Sequence, residues 1–121
     1  MSKLKTLGKK VTKFAGLEVF PAPTGLQRVI CFTDEVTALC PVTGQPDWYQ
    51  VKIDYIPQKL CVESKTLKLY LQSFRNTGHF CEKFSSIIAH EIQRVLDPLK
   101  VSVTIEQKPR GGIAIEATCV L

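Results

Sequence analysis

The sequence predicts an α+β fold: an antiparallel sheet with two helices on one face, in the order strand-strand-helix-helix-strand-strand. Three observations carry this. Tyr49, Val51, Ile53 and Tyr55 alternate with Trp48, Gln50, Lys52 and Asp54, the period of two of a strand with one face in a core. Phe80, Phe84, Ile87, Ile88, Ile92, Val95 and Leu96 recur at three- and four-residue steps, with Glu82, Lys83, Ser86, Glu91 and Arg94 between them. That is the stripe of an amphipathic helix. Two further alternating runs, Val101, Val103, Ile105 and Ile113, Ile115, Ala117, Cys119, flank Lys108-Pro109-Arg110-Gly111-Gly112, a hairpin turn by its proline and glycines.

The remaining elements fall around these. Residues 1–20 form a basic N-terminal arm, which Pro21-Ala22-Pro23-Thr24-Gly25 closes, and residues 21–121 form a single domain. In the arm, Leu4, Leu7, Val11 and Phe14 could share one side of a short helix, but Gly8 and the lack of caps oppose it. Leu26 to Phe32 is rich in β-branched and apolar residues and predicts the first strand. Thr33 to Pro46 carries turn residues and predicts a long loop; Asp47 to Ile56 is the alternating strand, ended by Pro57. Lys65 to Phe74 contains good helix formers, with Ser64 as a suitable N-cap. Arg75 to Gly78 breaks the pattern, and Asp97-Pro98 stops the long helix, because a residue before proline disfavours the α region. A four-stranded sheet has two open edges, which invite pairing with neighbouring subunits.

Composition narrows the class. With 121 residues, 45% hydrophobic and 22% charged, the chain is an ordinary globular domain with one core. No apolar run approaches the roughly 20 residues that span a bilayer. Met1 to Phe14 interleaves lysines with single apolar residues and lacks the apolar region of a signal peptide. Five cysteines, odd in number and without a CxxC pair, argue against a disulfide framework and a structural zinc site, and predict thiols in the cytoplasm. His79 and His90 have no metal-ligand spacing. The net charge of +5 owes much to Lys3, Lys5, Lys9, Lys10 and Lys13, for which a solvated arm is the simpler account than an RNA-binding one.

Several residues can carry chemistry. Cys40 lies in the loop, followed by Pro41, Gly44 and Pro46, where a core residue is not expected; burial as a small hydrophobe is nevertheless the usual fate of a free cysteine. Asp47 starts a strand after proline, and a solvated turn aspartate would explain it equally. Glu82, in the first turn of the long helix, suits the helix dipole as well as a ligand. Lys65 and Lys68 share a helical face, and Arg110 sits in a glycine turn with exposed N–H groups. There is no GxGxxG or P-loop.

Glu63-Ser64-Lys65-Thr66-Leu67-Lys68-Leu69-Tyr70, read with Cys40-Pro41-Val42-Thr43-Gly44-Gln45-Pro46-Asp47 upstream, resembles the signature of the NADPH-dependent 7-cyano-7-deazaguanine reductases, which reduce a nitrile to a primary amine. The resemblance runs from about Pro23 to Thr118. It implies the tunnelling fold, in which subunits form rings, two rings stack (a decamer is expected) and active sites lie between subunits. It implies Cys40 as the nucleophile that forms a thioimidate, and Asp47 as the proton donor to nitrogen. Val62, Glu63, Ser64, Cys81 and Glu82 are implied to bind the substrate, 7-cyano-7-deazaguanine; a carboxylate can accept from both the amino group and the ring N–H of such a base. Cys81 stands where many members have histidine. Lys65, Lys68 and Arg110 are implied to hold the phosphates of NADPH, with no metal, no membrane and no direct nucleic-acid contact. Two alternatives remain: an amidine-forming, archaeosine-type relative acting on a nitrile already in tRNA, in which the Glu-Ser-Lys segment is not expected, and a non-catalytic RNA-binding ring.

Overall fold

The computed structural model describes residues 14–121, apart from the side chain of Arg110. In chain order the elements are β1 (Val19–Pro21), β2 (Val29–Leu39), β3 (Pro46–Ile56), β4 (Leu60–Val62), α1 (Ser64–Gln72), a 3-10 turn (Ser73–Asn76), α2 (Cys81–Leu96), β5 (Lys100–Arg110) and β6 (Ile113–Val120). Four strands make one antiparallel sheet in the order β2-β3-β5-β6, so β2 and β6 are its edges. The predicted class and the order of the major elements hold.

The core lies between one face of this sheet and the helices. Tyr49, Val51, Ile53 and Tyr55 of β3 and Val101, Val103 and Ile105 of β5 are at most 1% exposed. They pack under Phe84, Ile88, Ile92 and Leu96 of α2, and each such side chain contributes roughly 1.5–3 kcal/mol by leaving water. Phe84 anchors the centre: its ring meets Tyr49 edge-on at 5.2 Å and Phe74 at 4.8 Å. Among the described residues no helix is long and apolar enough to cross a membrane.

The structure differs from the sequence expectation at five places. First, Thr33–Pro46 is not a long loop. β2 starts at Val29, later than Leu26, and runs on to Leu39, leaving only Cys40–Gln45 between strands. The cause is a β-bulge: Thr33 pairs with Val51 and Val36 with Tyr49, so Asp34 and Glu35 together face the single Gln50. The inward positions change from odd (Cys31, Thr33) to even (Val36, Ala38), and the alternation that marks a strand is broken in the sequence.

Second, the cap of α1 is Glu63, not Ser64. Its backbone is extended (φ −78°, ψ 129°), and its carboxylate accepts from the N–H groups of Lys65 (2.8 Å) and Thr66 (2.7 Å). Third, α1 proper ends at Gln72, and the chain continues as a 3-10 turn where a helix to Phe74 was expected. Fourth, β5 extends to Arg110, and the turn narrows to Gly111-Gly112, both at positive φ, as a two-residue hairpin turn requires. Fifth, Val19 and Phe20, assigned to the arm, pair with Pro21 as β1 against β4, while Phe14 and Leu17 pack on the core. Both strands are three residues long, too short to show a period. The possible helix over Leu4, Leu7 and Val11, and the lysines up to Lys13, lie outside the described residues.

Candidate active site

β2 and β3 bring Cys40 and Asp47 together. Ala38 pairs with Asp47 and Leu39 with Pro46, so the aspartate stands beside the strand that delivers the cysteine. The loop between is closed twice. The Cys40 N–H donates to the Gln45 carbonyl (2.7 Å), and the Gly44 N–H donates to the Cys40 carbonyl (2.8 Å). Gly44, at φ 72°, makes the reversal, a conformation glycine adopts without steric cost. The loop is also clamped from outside. The Leu39 N–H donates to the Thr77 carbonyl at 2.8 Å, and Leu39 bridges to Gly78. A Cβ on Gly78 would stand 3.3 Å from the Cα of Pro41, so the residue that the sequence marked only as a helix breaker lets the loop sit close against the segment leading into α2.

Two properties of the pair suit chemistry. Asp47 is 4% exposed, not the solvated turn residue that its position after proline suggested. Cys40 is half-buried, and its thiol is held below the ordinary thiol range. Donation from the Thr43 side chain is the main cause, followed by the main-chain N–H groups of Thr43 and Val42; partial burial and the Asp47 charge oppose it. A thiolate stabilised in this way is a nucleophile. Thr43 had no sequence signal beyond its place three residues after the cysteine.

The other predicted residues divide between the two ends of the sheet. At the Cys40 end, Glu82 is exposed on the first turn of α2. Cys81 is 1% exposed, with its sulfur against the carbonyls of Ile105 (3.5 Å) and Ile115 (3.8 Å), and burial pushes its thiol up. Its side chain faces the sheet, so only its main chain is open to a ligand. The backbone of Arg110 also lies at this end, since Gln107 pairs with Tyr49 and β5 continues past it; its side chain lies outside the described residues.

At the opposite end sit Val62 and Glu63, 6% and 5% exposed. The Val62 N–H donates to the Tyr55 hydroxyl at 3.1 Å, and Tyr55 pairs with Val29 at the start of β2. Along β2 from Val29 to Cys40, eleven steps of about 3.3 Å give roughly 36 Å, which the bulge shortens to somewhat over 30 Å. From Ser64, α1 runs alongside β2 and encloses with it a groove of about 450 Å³, walled by Cys31, Val36, Ile53 and Leu67, with Ser64 and Lys68 on its rim. Neither Cys40, Asp47 nor Glu82 lines this groove. One chain therefore carries Cys40 and the Glu63–Lys68 segment on separate surfaces.

Comparisons with known proteins bear on the fold and the family. The structure resembles the crystal structure of the apo archaeosine synthase QueF-Like, with a TM-score of 0.73 over 78% of this chain and 92% of that one, at 20% identity; the likeness is one of fold, and it makes the class a tunnelling-fold α+β protein. A family model described as QueF-like protein matches residues 46–120. The chain is 45% identical over 120 residues to the NADPH-dependent 7-cyano-7-deazaguanine reductase of Granulibacter bethesdensis, covering 93% of this chain and 78% of the relative. It is 46% identical over 123 residues to the enzyme of the same name from Rhizobium etli, covering 96% and 79%. Against that of Alkaliphilus metalliredigens it is 52% identical over 85 residues, 70% of this chain but only 51% of the relative. The chain belongs to the QueF family.

Proposed function

We propose that this chain reduces the nitrile of 7-cyano-7-deazaguanine to the primary amine, using two NADPH per substrate. The observation that carries it is the Cys40–Asp47 pair, a thiol held below its usual range beside a buried carboxyl group. The Cys40 sulfur adds to the nitrile carbon, and Asp47 relays the proton that the thiol gives up to the nitrogen where negative charge develops. The product is a thioimidate on Cys40. When bound, NADPH supplies the two hydrides that a nitrile needs to become an amine. Lys65, Lys68 and Arg110 would hold its phosphates; an apolar groove with Ser64 and Lys68 at its rim fits part of such a ligand in size and charge. Glu82 would accept from the ring donors of the base.

Glu63 and Ser64 can share a substrate with Cys40 only if they come from another copy, because roughly 30 Å of β2 separates them within one chain. The open edges of β2 and β6 supply the means, and stacked rings forming a decamer are the assembly proposed. Five free cysteines suit a cytoplasmic setting.

The test is NADPH consumption with the free base. Turnover that requires the nitrile supports the reading. No consumption, together with amidine formation on nitrile-bearing tRNA, would assign the chain to the archaeosine-type chemistry instead. RNA binding abolished by deleting residues 1–13, which leaves the core-packed Phe14 and β1 in place, with no turnover in the full chain, would favour the non-catalytic ring.

A further inference from the structure

We propose that Gly78 is a positioning residue for the reaction: by placing no side chain beside Pro41, it sets the gap between the Cys40 loop and the first turn of α2, which carries Glu82. The inference rests on Cys40 and Glu82 acting on one substrate, and it adds the residue that spaces them.

The short run from Gly78 to Cys81 spans two fixed points. At one end, the Leu39 N–H donates to the Thr77 carbonyl at 2.8 Å, and Leu39 bridges to Gly78. At the other, the Cys81 sulfur lies 3.5 Å from the Ile105 carbonyl and 3.8 Å from that of Ile115, which ties the start of α2 to β5 and β6. One turn on, Phe84 is fully buried against Tyr49 and Phe74, so the helix has little freedom to absorb a change upstream. Gly78 lacks the positive φ of Gly44, Gly111 and Gly112; what glycine supplies here is space. A Cβ would stand 3.3 Å from the Pro41 Cα, 3.5 Å from the Leu39 carbonyl oxygen and 3.6 Å from the Pro41 Cβ. The nearest of these is a backbone atom next to Cys40, so the loop itself must yield by a few tenths of an ångström. Reaction rates respond on that scale: 1 Å of misplacement can cost roughly a hundredfold. Gly78 is exposed, so an added methyl there crowds the loop and not the core.

The test compares Gly78→Ala with the parent chain at two stages. Non-covalent binding of 7-cyano-7-deazaguanine is measured by calorimetry in a Cys40→Ala background. Adduct formation on Cys40 is followed by mass in the full chain, at saturating nitrile and without NADPH. Binding should stay within about twofold, since the Glu82 carboxylate and its helix are untouched, while adduct formation slows about four- to tenfold. In a Glu82→Ala background that penalty should vanish, because a base free to shift needs no fixed gap. A loosened fold would instead weaken binding along with the rate and impose the same factor in both backgrounds. Adduct formation at the wild-type rate in Gly78→Ala would overturn the proposal. So would an equal penalty with and without the Glu82 carboxylate, or binding that falls as far as the rate. If the wild-type chain forms no adduct, the reductase reading fails first and takes this inference with it. An adduct in wild type with no selective loss in Gly78→Ala sinks the inference alone.

Discussion

Two impaired variants should repair each other. Cys40→Ala removes the proposed nucleophile at one end of the sheet, and Glu63→Gln removes a carboxylate charge at the other, roughly 30 Å away along β2. No bicyclic base can touch both within one chain. In a ring where each site takes Cys40 from one copy and Glu63 from its neighbour, a random one-to-one mixture leaves about a quarter of the sites with both native residues. Co-expressed chains carrying different tags, purified through both, should regain about that share of wild-type nitrile-dependent turnover. Glu63→Gln alone should raise the KM for the nitrile roughly ten- to a hundredfold, the equivalent of losing one charge-assisted hydrogen bond. Its carboxylate also caps α1 through Lys65 and Thr66, so the urea midpoint should fall by an amount corresponding to about 1 kcal/mol. That loss is small enough to leave the chain folded. If mixed oligomers, verified by native mass spectrometry, show no more turnover than the average of their parents, the site lies within a single chain and the reasoning fails.

Three further outcomes follow from the same structure. Incubation with the nitrile in the absence of NADPH should leave a covalent adduct on Cys40, detected by peptide mass; Cys40→Ala should lose it, Cys31→Ala and Cys119→Ala should retain it, and an adduct surviving Cys40→Ala would remove the assigned nucleophile. Phe84 is fully buried among Tyr49, Phe74 and His79, so Phe84→Ala should cost about 3–5 kcal/mol in denaturant unfolding, whereas a loss below 1 kcal/mol would mean the cluster collapses to fill the space. The Arg28 guanidinium, hydrogen-bonded to Asp54, holds that carboxyl below the usual carboxylate range. The pair's contribution is thus present above the unfolded aspartate value of about 3.9 and is lost as pH falls through the lower folded value; Asp54→Asn should flatten that acid limb of the urea midpoint, and an unchanged limb would show that the pair contributes nothing.

What the sequence revealed depended on whether an element carried its own period. α2 and β3 bury one stripe and one face without interruption, and both were legible almost to the residue. β1 and β4 hold three residues each and exist because they pair with one another, which no local pattern records. The N-terminus of α1 misled for a chemical reason: serine is the commoner cap, yet here the preceding glutamate reaches forward to two N–H groups. Cys40 stood out by its place in a proline- and glycine-marked segment, and Asp47 only through the family resemblance. The burial of Asp47 did not, because it depends on the strand pairing opposite Ala38. Nor could the separation of Glu63 from Cys40 be read from the chain, since 23 positions in sequence say nothing of which end of a sheet each occupies.

The bulge at Asp34-Glu35 has a consequence for how this chain tolerates changes of length. A segment with two acids and no alternation looks like a place where a residue could be lost harmlessly. The pairing agrees: with either acid gone, the remaining one faces Gln50 alone, Thr33 and Val36 keep Val51 and Tyr49 as partners, and Val36 and Ala38 stay on the core side. Beyond the bulge there is no spare residue: loss of Thr37 would move Ala38 to an outward position and turn Cys40 with it, so the aim of the sulfur depends on which side of Val36 the strand is shortened.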